Sequence, residues 1–390
     1  MPWREVSAMD QRREFALLAM QEGVNRRELC RRFGISPQTG YKWLARVEAG
    51  DAELADRSRR PLVSPRRSNM AIETLVLAVR DAHPAWGARK IAYCLQRDGM
   101  TPPAISTVHE ILHRNGRIIL PPGGATQPLQ RFEKEAPNQL WQMDFKGRMP
   151  LANNAACHPL TVIDDHSRYA LCIQACANEQ SATVQQRLIQ TFRRYGLPDA
   201  FFVDNGSPWG DSGGSRWTAL RVWLLKLGVD TIYARPFHPQ SRGKNERFHR
   251  SLKAEVFAAR RFRDFAELQR AFDTWRTVYN LQRPHEALGM DVPATRYKPS
   301  TRPMPDKIVE VEYASNDIVR RVSVNPRIDF KGRRWRVPKA FRGERLAIRP
   351  LDSDGHYGIF FGSRKVAEID LTGTKSVSDV SEQVSTMSPD

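Results

Sequence analysis

The chain has 390 residues, more than a single hydrophobic core ordinarily uses, so we expect several domains. Its hydrophobic fraction of 41% and charged fraction of 27% argue against a disordered or fibrous protein. Lys and Arg number 61 against 43 Asp and Glu, and the resulting charge of +18 favours a polyanionic partner such as nucleic acid. No apolar run is long enough to span a bilayer and the N-terminus lacks the apolar stretch of an export signal, so we expect a cytoplasmic protein without membrane contact. The five cysteines form no CxxC pair, which argues against a disulfide framework or a structural zinc site.

Residues 1–56 have the pattern of a helix-turn-helix DNA-binding domain. Helical periodicity at 10–22 and 26–33 is followed by a break at Gly34, after which Ser36 and Pro37 form a good start for a third helix. An ordinary three-helix packing unit would show the same spacing, but the surrounding arginines favour DNA binding. The side chains expected to enter a major groove are Gln38, Thr39 and Lys42.

A basic linker and a second helical module follow. Residues 57–69 are rich in arginine and proline, so Arg59 and Arg60 are candidates to follow a phosphate backbone, although a merely soluble linker has a similar composition. A second helix-turn-helix domain is predicted over 70–120, with Ser106 capping its third helix. Its signal is weaker, because Thr107, His109 and Arg114 are also typical of a solvent-facing packing module. Residues 121–137 are interpreted as another linker.

From residue 138 to 299 short strand-like runs alternate with helices, which predicts an α/β domain. Asp144 lies within the first strand, Asp204 ends a later strand, and Glu246 lies near the start of a basic helix. Carboxylates at strand ends and helix starts can converge on one site. Cleavage of a phosphodiester needs divalent cations, and carboxylate oxygens are suitable ligands for them.

The basic helix carries a second set of candidate residues. Glu246, His249, Arg250 and Lys253 are spaced to share one face, while Phe248, Leu252 and Val256 can pack inward. A surface Glu246 that pairs only with Arg250 is the alternative interpretation. The cations of this helix expected to contact DNA are Lys244, Arg250 and Lys253.

Four motifs, WQMD, VIDDHSRY, FFVDNGS and HPQSRGKNERFHRSLK, closely resemble the catalytic core of DDE transposases of bacterial insertion sequences, which is similar to that of retroviral integrases. The resemblance implies a ribonuclease-H-like fold in which Asp144, Asp204 and Glu246 are the catalytic residues and bind two Mg²⁺ ions, with Mn²⁺ as a substitute. It also implies that Lys253, seven residues after Glu246, contacts DNA near the active site. Family members commonly carry tandem helix-turn-helix modules ahead of this core.

One spacing departs from the family pattern. Asp204 and Glu246 are separated by 41 residues, whereas related enzymes usually have a number in the mid-thirties, and the excess falls in the Gly- and Ser-rich segment around 208–216. A surface loop absorbs such length at little cost, so Glu246 keeps its assignment. Asp164 and Asp165 are the competing carboxylates, and Asp165 is interpreted as a structural partner of Arg168. The candidates before the helix for positioning DNA or a metal-bound water, with packing of the loop as the alternative, are His238 and Gln240.

The last part of the chain is predicted to form a small β-barrel over 306–372, followed by a Ser-rich flexible tail at 373–390. Basic residues follow its strands, so the domain is interpreted as a contact to DNA or to another subunit, with a purely structural appendage as the alternative. These residues are Arg320, Arg321, Lys331, Arg333, Arg334 and Arg336.

The sequence therefore predicts a multidomain transposase that binds the terminal inverted repeats of a mobile element, cleaves the 3′ ends and transfers them into target DNA. Its expected partners are double-stranded DNA at the nucleoid and further copies of itself, since joining two ends implies at least a homodimer. One alternative is a transposase-derived DNA-binding regulator without catalysis, which the intact acidic triad disfavours. A nuclease that joins no ends is another, which the tandem helix-turn-helix modules disfavour.

Overall fold

The computed structural model describes residues 7–51, 53–57, 68–118, 133–210, 215–234, 243–258, 260–372 and 378–379. The chain divides into two compact units, Met1–Arg67 and Ser68–Asp390. Each unit has a hydrophobic core of its own. No helix in the described part of the chain is both long and apolar enough to cross a membrane.

The first unit contains three helices around a small core: α1 Ala8–Ala19, α2 Arg26–Arg32 and α3 Pro37–Glu48. The predicted start of α3 is confirmed, since Ser36 accepts a hydrogen bond from the Thr39 amide at 3.2 Å and Pro37 occupies the first turn. Gly34, in the turn before it, has a φ of +64°, which favours glycine. The described residues thus form the helix-turn-helix arrangement expected for this region.

The second unit begins with another three helices, α4 Met70–Ala82, α5 Ala88–Arg97 and α6 Ile105–Arg114. The predicted cap of the third helix is wrong, because α6 begins at Ile105 and the cap position belongs to Ala104, which makes no side-chain cap bond. These helices pack against the following domain: Tyr93 Oη donates to Asp291 at 3.0 Å, and Val278 packs against their core. The second module is therefore part of the same compact unit as the α/β domain.

The α/β domain is built on a mixed sheet. Its central strand β1 pairs with one antiparallel and one parallel neighbour, β3 and β5, and the path continues to β4 beyond β3 and to β6 beyond β5. The short strand β2 pairs with the start of β3. The strands are β1 Trp141–Phe145, β2 Met149–Pro150, β3 Ala156–Asp164, β4 Ala170–Cys176, β5 Ala200–Val203 and β6 Asp230–Tyr233.

Helices cover both faces of this sheet, because alternate strand residues are apolar on each side. Trp141 and Met143 of β1 belong to a core shared with α7 and α8, whereas Ile163 of β3 belongs to a second core shared with α9 and α10. The helices are α7 Ser181–Tyr195, α8 Ala219–Lys226, α9 Gly243–Leu252 and α10 Phe265–Leu281. The predicted α/β layering is therefore found.

The C-terminal strands do not close into the predicted small β-barrel. Among the described residues, β7 Ile318–Arg321, β10 Arg345–Pro350, β11 His356–Phe361, β12 Arg364–Asp370 and β13 Ser378–Asp379 form an open sheet, and β8 Arg327–Phe330 pairs only with β9 Arg333–Arg336. The core of this domain includes Trp217 and Val222 of the α/β domain, so the open sheet is covered on one side by its neighbour. The six basic residues predicted along these strands are all exposed.

Candidate active site

Asp144 and Asp204 lie on neighbouring parallel strands. Trp141 of β1 pairs with Phe201 of β5, and Gln142 pairs with Phe202. Continuing this register by two residues places Asp144 level with Asp204, which follows β5 directly. Adjacent strands are about 4.8 Å apart, so the two carboxylates belong to one edge of the sheet. Both residues are partly exposed there.

The turn that carries Asp204 is held by local hydrogen bonds. The Gly206 amide donates to Asp204 Oδ1 at 3.0 Å, and Asn205 Nδ2 donates to the Ala234 carbonyl at 2.9 Å. These bonds tie the end of β5 to the residue after β6. The turn that follows β5 is thereby fixed to the neighbouring strand.

Helix α9 carries Glu246 and packs on the sheet face to which Gln142 and Asp144 point. The packing follows from the sequence, since the predicted inward residues Phe248, Leu252 and Val256 are all buried. Glu246 and Arg250 are exposed, as is Lys253 just beyond the last turn. Glu246 therefore lies on the solvent side of a helix whose other side packs against the strand of Asp144.

His249 does not share the solvent-facing surface that its spacing predicts. Its Nε2 is 2.8 Å from Thr161 Oγ1, and that hydroxyl donates to the Asp144 carbonyl at 3.0 Å. Because a hydroxyl has one proton, His249 must donate the other hydrogen bond from Nε2. Burial, with a smaller contribution from Lys146, lowers the pKa of His249 to about 4, which keeps the ring neutral.

Lys244 also differs from its prediction as a DNA contact. Its Nζ is 2.5 Å from Asp165 Oδ1, with its side chain largely buried, and burial lowers the pKa of Lys244 to about 8. The same oxygen of Asp165 accepts a hydrogen bond from Gln142 Nε2 at 2.6 Å. Lys244 thus joins the helix to the sheet instead of extending toward solvent.

The predicted carboxylate pairing of Asp165 with Arg168 is corrected by these contacts. Arg168 donates to the Asp165 carbonyl and forms its ion pair with Glu133 at 2.7 Å, while the Asp165 carboxylate binds Lys244. Asp164 is fully buried and accepts hydrogen bonds from Ser167, and burial raises its pKa. Both acids are structural, as expected, but with different partners.

A single π-helical turn, Lys253–Phe257, follows α9, with the Ala258 amide donating to the Lys253 carbonyl at 3.0 Å. Such turns are frequent at functional sites. Glu255 within it accepts from Trp275 Nε1 and from Arg283 Nε, each at 2.8 Å, in a buried ion pair. This turn fixes where the helix ends and where Lys253 emerges.

The predicted DNA-reading side chains of the first unit are only partly free to reach a groove. Gln38 and Lys42 are exposed on α3, whereas Thr39 is half-buried and its hydroxyl is 2.9 Å from that of Ser36. Arg59 and Arg60 lie outside the described residues. So do His238 and Gln240.

The second helix-turn-helix module borders a cleft of about 490 Å³. Arg89 and Lys90 of α5, His109 of α6 and Glu286 are among its lining residues, and burial lowers the pKa of Lys90 to about 8. Arg114, one of the weaker candidates, instead forms an ion pair with Glu73 and is mostly buried. The polar side chains of this module that line the cleft are therefore the ones available to a ligand, whereas Arg114 is already paired.

The donor chemistry of the candidate residues suits a hard divalent cation, since all three are carboxylates. Among the described residues, however, no three His, Cys, Asp or Glu side chains are gathered closely enough to hold a metal ion. Asp144 and Asp204 are level with one another, and α9 packs beside them, but Glu246 does not complete a cluster with them in this arrangement. The residues that sequence reasoning missed are Thr161 and Gln142, which carry no motif of their own beyond their positions on strands next to Asp144.

Five segments of the chain match known domain families. Residues 11–61 match a helix-turn-helix domain, 39–112 a homeodomain-like domain, 134–239 and 227–293 an integrase core domain, and 317–377 the C-terminal domain of IS481 family transposases. The two integrase core segments include Asp144, Asp204 and Glu246. The expected helix-turn-helix regions and the integrase-type core are confirmed by these matches.

The chain is also similar to proteins of insertion elements. An uncharacterized 39.2 kDa protein of insertion element IS476 from Xanthomonas euvesicatoria is 26% identical over 240 residues, 59% of this chain and 65% of that protein. An uncharacterized 31.7 kDa protein of insertion element IS407 from Burkholderia multivorans is 28% identical over 159 residues, 41% of this chain and 55% of that protein. A putative transposase for insertion sequence element IS5376 from Geobacillus stearothermophilus is 20% identical and is covered over 51% of its length. The matched part of the chain thus spans between half and two thirds of these relatives.

Two solved structures are also similar to the chain, at lower sequence identity than these relatives. A chain of the simian T-cell lymphotropic virus intasome in complex with PP2A regulatory subunit B56 gamma is 16% identical, with a TM-score of 0.37, over 77% of this chain and 100% of that chain. The HTLV-2 integrase catalytic core domain in complex with magnesium, in its trimeric form, is 13% identical, with a TM-score of 0.33, over 42% of this chain and 99% of that chain.

Proposed function

Since this chain belongs to the DDE transposases of insertion sequences, we propose that it binds the terminal inverted repeats of a mobile element, cleaves the 3′ ends and transfers them into target DNA. Both steps are phosphoryl transfers at one site. In the first, water attacks the phosphodiester and a 3′ hydroxyl leaves. In the second, that hydroxyl attacks the phosphorus of a target phosphodiester. A new bond to the target strand forms, and the 3′ oxygen of the neighbouring target nucleotide leaves.

The observation that carries this proposal is the register of β1 and β5. It brings Asp144 and Asp204 to the same level on adjacent strands, within segments that match an integrase core domain. Helix α9, which carries Glu246, packs against the sheet face of Asp144. Two carboxylates at one sheet edge and a third on the covering helix supply the kind of oxygen ligands that metal-dependent phosphoryl transfer uses.

Asp144, Asp204 and Glu246 would hold the metal, Mg²⁺ with Mn²⁺ as a substitute. Bound there, two divalent ions would activate the attacking oxygen and stabilise the leaving oxygen. Asp204 would be held for this role by its turn, which is tied to the end of β6, and Glu246 would reach the metal from the exposed side of α9.

Exposed cations beside this edge would hold the DNA. Arg250 and Lys253 lie on the solvent side of the helix region that carries Glu246, so they would neutralise phosphates next to the reacting one. Gln38, Thr39 and Lys42 of the first unit would contact base edges, with Arg59 and Arg60 on the backbone. Two DNA ends must meet for joining, so the working form would be at least a homodimer on DNA in the nucleoid.

The test is an assay of cleavage and strand transfer with the full-length protein, Mg²⁺ or Mn²⁺, and labelled DNA from the two flanks of its own gene. We expect Asp204→Asn to lower joined product by on the order of 10³-fold or more while leaving DNA binding intact, because it removes a charged ligand of the reacting centre. Asp199→Asn is the matched control, since Asp199 lies just before β5, at its other end, and pairs with Arg302 at the surface. An Asp204→Asn protein that joins ends normally would rule out this site.

One observation favours a second candidate, a DNA-binding regulator without catalysis. The three carboxylates do not form a metal-holding group in the described structure. For a regulator, wild type and Asp204→Asn would bind the flanking DNA equally and neither would cleave it in metal, under conditions in which assembly on DNA is demonstrated.

A further inference from the structure

The first turn of helix α9 is joined by a buried ion pair to Asp165, the residue after β3, and through Asp165 to the central strand β1. Asp165 is completely buried, and one of its carboxylate oxygens binds both Lys244 of α9 and Gln142 of β1. Its other oxygen accepts from the Lys134 amide at 2.9 Å. A buried carboxylate with several close partners allows little rearrangement, because any partner lost leaves a desolvated charge uncompensated.

A second connection joins the next turn of α9 to the same strand. His249 Nε2 donates to Thr161 Oγ1, and Thr161 donates to the carbonyl of Asp144 itself. Thr161 lies opposite Asp144 in the register of β1 and β3. The backbone of one proposed catalytic residue is therefore two hydrogen bonds away from the helix that carries another.

The two connections lie on different sides of α9. At about 100° per residue, Lys244 and His249 are separated by roughly 140° around the helix axis, with the buried Phe248 and Leu252 between them. Because the two contacts lie at the two edges of the buried surface of α9, together they oppose rolling of the helix in either direction. Glu246 lies just outside the edge that His249 defines, so a roll would move its carboxylate directly.

We propose that Lys244 with Asp165, and His249 with Thr161, form a clamp that holds α9 in a fixed rotation against β1 and so positions Glu246 relative to Asp144. The four are positioning residues, since they act through α9 and β1 and do not touch the reacting groups. All of the contacts of the clamp are made by groups of this chain. This inference rests on the proposed function for its consequence, but the clamp itself is a property of the fold.

The test uses full-length protein free of metal and DNA, and measures amide hydrogen exchange at residues 246–252 together with Mn²⁺ affinity by calorimetry. Thr161→Val removes the hydroxyl at nearly constant shape, and Lys244→Met removes the ammonium. Thr161→Ser restores the hydroxyl. Thr191→Val is the matched control, because Thr191 is also buried and its hydroxyl bonds the Arg187 carbonyl within α7, on the other face of the sheet.

We expect both clamp variants to accelerate exchange in α9 roughly tenfold and to weaken Mn²⁺ binding by a similar factor, while Thr161→Ser and Thr191→Val behave like wild type. Unchanged exchange in Thr161→Val would overturn the clamp, even if Lys244→Met failed to fold. Faster exchange with unchanged Mn²⁺ affinity would overturn the positioning of Glu246. A wild-type protein that binds no Mn²⁺ and joins no ends would instead overturn the proposed function, and the exchange rates would still decide whether the clamp holds α9.

Discussion

Single residues under α9 connect the chemistry of the site to the stability of the fold. His249 is buried and neutral, and it donates to a hydroxyl that needs its proton. Protonation would put a positive charge in a desolvated position near Lys146. The residue therefore couples the integrity of the site to pH without taking part in catalysis.

This coupling predicts a loss of stability in mild acid. The pKa of His249 is lowered from 6.5 to about 4, so the unfolded chain takes up a proton that the folded state resists. The contribution of neutral His249 to the free energy of unfolding is fully present above about pH 6.5. It is lost as the pH falls toward 4, and the loss is about 3 kcal/mol at most. His285, whose pKa burial lowers to about 2, acts in the same direction.

The measurement is the thermal unfolding midpoint between pH 7 and pH 4. We expect the midpoint of wild type to fall with pH, and that of His249→Gln to fall less steeply, because glutamine can still donate to Thr161 but has no proton to gain. His109→Gln, an exposed histidine on α6, is the control. Equal slopes for wild type and His249→Gln would contradict the assigned role of burial.

At this scale the sequence indicated candidate site residues but not the residues that they contact. Asp144, Asp204 and Glu246 stood out because their motifs resemble a known core, and the inward side of α9 followed from the spacing of Phe248 and Leu252. The pairing of Lys244 with Asp165 could not be predicted, since it depends on a contact between residues 79 positions apart. Helical periodicity says which side a residue faces, but not what lies there.

Among the elements, α3 is packed unusually close to its neighbours. A Cβ on Gly40 would lie 2.5 Å from Cys30 Sγ and 2.8 Å from Phe15 Cζ. The glycine is needed for this close approach and not for its backbone angle. It sets the distance between the helix that is expected to read DNA and the two helices that support it.

Gly40→Ala should therefore destabilise the first unit by about 1 to 3 kcal/mol through overpacking. We expect faster amide exchange in α3 and weaker binding to the flanking DNA, with the core of the second unit unaffected. Gly87→Ala is a suitable control, since a Cβ there would meet nothing within 4 Å. Unchanged exchange in α3 would show that Cys30 and Phe15 can move aside.

Local signals predicted some of the elements, whereas features fixed by distant pairing were not predicted. The cap at Ser36 is local, and it was found. Strand β6 is only four residues long and owes its place to its pairing with β5, and closure of the C-terminal sheet depends on edges that are far apart in sequence. Helix α10 was missed although Leu268, Phe272, Trp275 and Tyr279 carry the periodicity that would have revealed it.

For the whole molecule the net charge of +18 is the dominant property. DNA binding should therefore weaken steeply between 50 and 200 mM salt, because cations that contact phosphates release counterions. If Lys42 and Lys253 each contact a phosphate, alanine at either position should reduce the slope of log affinity against log salt by about 1. Lys307→Ala, at another exposed lysine, should leave the slope as in wild type. A slope insensitive to all three substitutions would place the phosphate contacts elsewhere.

The sequence predicted two helix-turn-helix domains in tandem, with one linker at 57–69 between them and another at 121–137 before the core. The chain divides into two compact units between Arg67 and Ser68. The second module contacts the α/β domain in two ways: Tyr93 of the module donates to Asp291, and Val278 of α10 packs against the core of the module. The contacting residues lie far apart in sequence and so give no local signal.

That single division has a consequence for how such proteins can diversify. A recombination event that replaces the first unit would exchange one complete hydrophobic core for another and leave the described contacts within the second unit intact. A crossover between the second module and the α/β domain would separate Tyr93 from Asp291 and would expose the side chain of Val278 to solvent. If the first unit reads DNA as proposed, new DNA preferences would be most readily acquired, by natural exchange or by grafting, through the first 67 residues.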